Sequence, residues 1–207
     1  VGQIGVKQIV EHINPFDIPG FVLNRVSEVL EVIAEANRPN LYVQYDIYHA
    51  ARTEGNLTLR VGDHTFELHH TPGHTPGQLA VRIPEEGVIC VGDTVFHKCQ
   101  TWLYASDVDL WLKALDYIKT LDFQFIVPGH GPVCGRQELD VQKAFLMEWV
   151  TAVQVGIAKG WSKEECVKRI GFQDRFPVDI GQEYMGEHVN THNVEALYDK
   201  LTARQAK

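Results

Sequence analysis

The 207-residue chain lacks several features that would set its class at once. No apolar run approaches the ~18 residues needed to span a bilayer, which excludes a transmembrane helix from this reading. No cluster of Lys and Arg is visible, and 19 basic against 27 acidic residues leave a net charge of −8. A surface that tracks phosphates needs a basic patch, so nucleic acid and anionic membrane surfaces are set aside as partners. Only four cysteines occur, Cys90, Cys99, Cys134 and Cys166, none in C-x-x-C spacing. They read as reduced thiols rather than a disulfide framework. The N-terminal stretch VGQIGVKQIVEHIN has neither the basic start nor the long apolar stretch of a secretory signal. These features together predict a cytoplasmic protein. Repeats and low-complexity tracts are also missing, and 44% hydrophobic with 22% charged residues fits a folded globular chain.

What is present changes character near EGNLTLR, residues 54–60. Ahead of it, KQIVEHIN reads as a strand, NPFDIPGF as a turn-rich link, and LNRVSEVLEVIAEAN as an amphipathic helix. LYVQYDIYH then reads as a second strand, completing a parallel βαβ unit. Beyond it comes a meander. NLTLRVG and HTFELHHTPG alternate around Gly62-Asp63 as a hairpin, followed by strands QLAVRIP and GVICVGD. Helices are expected at DVDLWLKALDYIKTL, with an aspartate cap, and at RQELDVQKAFLMEWVTAVQVGIAKG, ended by Gly160. SKEECVKRI carries a capping box from Ser162 to Glu165, and NVEALYDKLTARQAK forms a last helix.

The ten histidines carry most information where strands end. FELHHTPGH ends at His74, GVICVGD at Asp93 and FIVPGH at His130. Pro-Gly turns bend the backbone sharply at such ends, and strand ends hold side chains rigidly. Two imidazoles and a carboxylate suit zinc, which lowers the pKa of bound water toward ~7. His97 and Tyr104 follow the Asp93 turn and are candidates for a substrate pocket. Trp102, Trp111, Trp149 and Trp161 read as packing residues.

The ordered set TPGHTPG, GDTVF and VPGHGPV resembles the C-terminal half of a metallo-β-lactamase-fold hydrolase, over residues from about 57 to 203. The resemblance implies half of an αββα sandwich, with His74 on a first metal, Asp93 bridging and His130 on a second. It implies hydrolysis of an ester- or thioester-like bond of a small-molecule substrate, with one zinc ion or two, and with Asp93 accepting the proton. The family's H-x-H-x-D-H loop occurs nowhere in the chain.

Residues 1–56 resemble another family. VEHINPFDIPGF and LYVQYDIYHAARTEGNLT are similar to hydroxypyruvate isomerase, a sugar-isomerase-type (β/α)₈ barrel. That resemblance implies a second divalent-metal site at Glu11 and Asp46, with His49 in a substrate pocket. Carboxylate ligands favour Mg²⁺ or Mn²⁺ over zinc. The domains expected are therefore an isomerase-like βαβ segment over 1–56 and a metallo-β-lactamase-like half over 57–207, an α/β fold throughout. Three functions follow in order: a zinc hydrolase, a catalytically inactive fusion or remnant, and a divalent-metal isomerase of hydroxypyruvate-like substrates. One βαβ unit covers less sheet than a full half would, so the reading predicts a homodimer closing the open sheet face.

Overall fold

Short apolar runs of residues 6–44 form a parallel strand pair, β1 (Gln8–Glu11) and β2 (Leu41–Gln44), in register from Gln8↔Leu41 to Glu11↔Gln44. A parallel pair needs a crossover, and α1 (Val26–Ala36) supplies it. The Glu28 carboxylate accepts the backbone N–H groups of Asn24 and Arg25 at 2.6 and 3.0 Å, which satisfies donors at the helix start. Val29 is the fully buried residue of its apolar stripe. Asn37 closes the helix in the left-handed conformation, φ 47°.

This computed structural model describes residues 6–55, 57–172, 175, 177 and 185–205. The chain divides into two compact units, Val1–Leu59 and Arg60–Lys207. One element of the first unit differs from expectation. The strand read over LYVQYDIYH stops at Gln44, and α2 (Ile47–Glu54) follows. Asp46 accepts the His49 N–H at 2.9 Å as N-cap, and Gly55 ends the helix at φ 62°. A capped turn satisfies orphan amide groups that an unpaired strand end would leave open.

The second unit is built on a five-stranded sheet in the order β3-β4-β5-β6-β7. The strands of this sheet are β3 (Thr58–Val61), which begins two residues before Arg60, β4 (His64–His70), β5 (Leu79–Ile83), β6 (Val88–Phe96) and β7 (Phe125–His130). Gly62 makes the β3–β4 turn at φ 60°. Between β5 and β6, Glu85 accepts the Thr65 N–H at 3.0 Å, tying that turn back to β4. Its carboxyl group is held down to about 2, first by that backbone hydrogen bond. β6 and β7 run parallel, with α3 (Val108–Thr120) as their crossover, capped by Asp107 onto the Leu110 N–H at 3.1 Å.

Helices α4 (Glu138–Ala158), α5 (Lys163–Arg169) and α6 (Gly186–Gln205) follow. The capping box of α5 is formed by Ser162 and Glu165, while α6 begins earlier than the expected Asn193. The core gathers Ile89 and Val91 of β6, Ile126 of β7, Trp111, Leu115 and Ile118 of α3, and Leu146 and Trp149 of α4. The fold is thus mixed α/β, one sheet sharing a core with helices. Among the described residues no helix is long and apolar enough to cross a membrane.

Candidate metal centre

The Pro-Gly turn after β4 is closed by the Thr71 N–H to the Gln78 carbonyl at 2.9 Å and the Gly73 N–H to the Thr75 carbonyl at 3.1 Å. Gly73 lies against α3, where a Cβ would stand 2.3 Å from the Trp111 Cα. The absent side chain lets the turn rest on the helix and aims His74 along it. His74 packs edge-on to Trp111, with ring centroids 5.2 Å apart. Trp111 is itself fixed by its Nε1–H donating to the Thr94 carbonyl at 2.9 Å.

Asp93 lies in an irregular stretch of β6, where the register against β7 shifts between Cys90 and Gly92 and again between Gly92 and Phe96. A bulge re-aims side chains that a regular strand would alternate, and Gly92 at φ 50° permits it here. β7 is the edge strand of the sheet, which tolerates the missing donor of Pro128. Gly129 completes the fit: a Cβ there would lie 2.1 Å from Asp93 Oδ1 and 2.6 Å from the Gly92 carbonyl carbon.

The three side chains named from the sequence meet. His74 Nδ1 stands 3.7 Å from Asp93 Oδ2, and His130 Nε2 stands 3.5 Å from Asp93 Oδ1. Each carboxylate oxygen therefore faces a different imidazole. His74 Nδ1 is buried and has no hydrogen-bond partner. Burial pushes the His74 imidazole below its ordinary pKa; the Asp93 carboxylate opposes this and His130 adds to it. An unpartnered imidazole nitrogen facing a carboxylate oxygen is a donor pair that a cation such as zinc would bridge. The donor set and the orphaned nitrogen fit a metal ion.

The cleft over these groups measures about 260 Å³ and is also lined by Phe96, Trp102 and Tyr104. Tyr104 is thus beside the three ligand-type groups. His97 lines a separate cleft with Lys98, Glu138 and Gln142. Its Nδ1 pairs with the Pro132 carbonyl at 2.8 Å, and its Nε2 lies 3.8 Å from Glu138 Oε2. Phe96 and Trp102 are lining residues that the sequence reading did not assign to the pocket. Phe96 stacks on His130 at 4.7 Å, its plane within 5° of the imidazole. The signal was available in GDTVF, three residues past Asp93 on the same strand.

In the first unit, ligand-type atoms of Glu11, Asp46 and His49 lie within 4.8 Å of one another. Glu11 ends β1 and accepts the Gln44 Nε2–H at 2.9 Å. Asn14 fixes the tautomer of His49. Its Oδ1 accepts the N–H groups of Phe16 and Asp17 at 3.1 and 3.0 Å, so its Nδ2 is the donor. That Nδ2 meets His49 Nδ1 at 2.7 Å, and the Asn14 backbone N–H meets the same nitrogen at 3.3 Å. His49 Nδ1 accepts, which leaves the proton on Nε2. Two carboxylates beside one imidazole make a hard, oxygen-rich cluster.

A family model described as the metallo-beta-lactamase superfamily matches residues 3–130. The chain is similar to hydroxypyruvate isomerase of Escherichia coli (strain K12), 50% identical over 50 residues, which are 24% of this chain and 19% of that protein. It is similar to hydroxyacylglutathione hydrolase of Maricaulis maris (strain MCS10), 33% identical over 59 residues, 28% of this chain and 23% of that protein. Among solved structures it is similar in fold to a metallo-beta-lactamase family protein from Thermus thermophilus. The TM-score is 0.56 at 18% identity, over 96% of this chain and 67% of that one. The chain spans about a fifth of the length of the curated relatives it matches.

Proposed function

The chain belongs to the metallo-beta-lactamase superfamily, and from that premise we propose that it is a metal-dependent hydrolase of ester- or thioester-like bonds, with His74, Asp93 and His130 as its zinc ligands. One observation carries the reading: Asp93 offers a separate oxygen to each histidine, at 3.7 and 3.5 Å, in the floor of a cleft. The similarity to a hydrolase named for hydroxyacylglutathione supports an acyl substrate.

When bound, zinc there supplies a more acidic water and a Lewis acid for a carbonyl oxygen. The chain's own residues do the rest. Asp93 accepts the proton of the attacking water on whichever oxygen faces it. His74 is held by Trp111 and His130 by Phe96, so neither ring has to be ordered as substrate arrives. Phe96 and Trp102 present apolar surface beside the reacting groups, against which the acyl part of a substrate can pack.

The test is a panel of small esters and acyl thioesters assayed with zinc-loaded protein. Hydrolysis is expected in wild type and should fall by about 10²-fold or more in Asp93→Asn, the range for loss of a general base. Undiminished turnover in that variant would sink the reading.

The Glu11, Asp46 and His49 cluster supports a second reading, an isomerase of small hydroxy-carbonyl compounds using Mg²⁺ or Mn²⁺. The similarity to hydroxypyruvate isomerase favours it. Isomerase turnover that depends on Mn²⁺ and survives His130→Ala would select this second reading.

A further inference from the structure

The second unit has a larger cavity than the cleft over Asp93. It measures about 500 Å³ and opens between α3, α4 and α6. Small-molecule sites commonly enclose about 300–1,000 Å³. Leu112, Met147, Val150, Leu197 and Leu201 give it an apolar wall, and Lys200 lines it as well. Lys200 Nζ donates to the Tyr104 carbonyl at 3.4 Å and to the Ser106 carbonyl. An ammonium has three donors, so one remains. Asp107 and Asp109 line the cavity too, but Asp107 caps α3 through the Leu110 N–H and Asp109 pairs with Arg204. The Lys200 ammonium is partly desolvated, with the Asp107 carboxylate favouring its charge and the like charge of Arg204 opposing it. Arg204 stands at the rim in a 2.9 Å ion pair with Asp109.

We propose that this cavity is a second ligand site, for a linear carboxylate with an apolar tail, its head group on Lys200 and its tail against Leu112, Val150 and Leu197. The lining holds two cations and two carboxylates, and the spare donor of Lys200 is what selects an anionic head group. A buried or half-buried cation seeks an anion more strongly than an exposed one, because water competes less for it. The wall selects the tail, since those leucine and valine side chains offer no hydrogen bonds. Lys200 beside this apolar wall is complementary to an anionic amphiphile, since a cationic head would meet no acceptor there other than Asp107 and Asp109, which are already engaged. None of His74, Asp93 and His130 lines this cavity, and the two sites share only Tyr104, whose carbonyl anchors Lys200.

Calorimetric titration of the full chain with decanoate and with decyltrimethylammonium tests it. The two probes share a tail and differ in the sign of the head. Decanoate should bind one to one and at least about tenfold more tightly than the cation. Lys200→Met should lose about tenfold for decanoate, and Lys200→Arg should retain most of the affinity. Val150→Trp, which fills the cavity and leaves the charge, should lose binding of decanoate. If Lys200→Met fails to fold on thermal melting, the head-group comparison in wild type and the Val150→Trp variant still decide. Equal affinity for both heads would overturn the assignment in favour of a plain apolar crevice, and absence of decanoate binding would overturn it outright. Sedimentation tests the other occupant: a dimer dissociated by Met147→Glu, with no uptake of decanoate, would give the cavity to a second copy of the chain.

Discussion

At the scale of single residues, the site depends on side chains that are missing as much as on those present. Gly129 carries no chemistry, yet its Cβ would occupy the space of Asp93 Oδ1. Gly129→Ala must therefore displace Asp93 or the β6 backbone. Overpacking of this kind costs about 1–3 kcal/mol. We expect a lower melting temperature together with loss of zinc at equilibrium dialysis; unchanged zinc affinity would show that Asp93 is not held as described. The three ligand-type residues were legible in the sequence because each ends an apolar run in a turn of small residues. Phe96 and Trp102 were not, since an aromatic residue near a strand end packs more often than it lines a site. His97 was legible as a polar residue near the site, but it lies one step beyond the point where β6 ends and lines another cleft.

At the scale of elements, period and caps made most strands and helices readable, and the exceptions have physical causes. Tyr42, Tyr45 and Tyr48 sit among β-branched and aliphatic residues in LYVQYDIYH, a composition that reads as strand. The Asp46 cap and the Gly55 stop turn its second half into α2. In β6 the sequence could not show that the strand continues through a bulge to Phe96, because only pairing with β7 reveals it. Two predictions belong here. Glu85 is held down to about 2 by its hydrogen bonds to Thr65, against an ordinary 4.5. A depressed carboxylate pKa adds stability that is fully present above about 4.5 and is lost as pH falls toward about 2. The melting temperature of wild type should exceed that of Glu85→Gln above pH 4.5, and the gap should close toward pH 2. A gap that does not depend on pH would rule out the charged cap. In α4, Trp149 is fully buried beside Phe145 and Phe172. Trp149→Ala should cost about 3–5 kcal/mol in urea unfolding, and a cost below about 1 kcal/mol would contradict the core described.

At the scale of the whole molecule, two units carry two clusters of different hardness. His74, Asp93 and His130 belong to the unit from Arg60, and Glu11, Asp46 and His49 to the unit ending at Leu59. Imidazole-rich sites favour zinc, and carboxylate-rich sites favour Mg²⁺ or Mn²⁺. His74→Ala should abolish zinc binding and leave Mn²⁺ binding intact. Asp46→Ala should do the reverse, and should also cost about 1 kcal/mol through the lost cap of α2. Loss of both metals in either variant, read by competitive titration, would contradict two separate sites. The shift in pattern at EGNLTLR lies close to the division after Leu59. The grouping of His74, Asp93 and His130 at strand ends was read from the sequence, whereas the order β3-β4-β5-β6-β7 was not, because it depends on pairing rather than on any local run.

The most direct test is the zinc content of protein purified without chelator, reloaded with zinc and dialysed, compared between wild type and His130→Ala by elemental analysis. The account predicts at least about one zinc per chain in wild type and its loss in the variant, as expected when one of three ligands is removed. Wild-type protein without zinc, or equal zinc in both proteins, would contradict it.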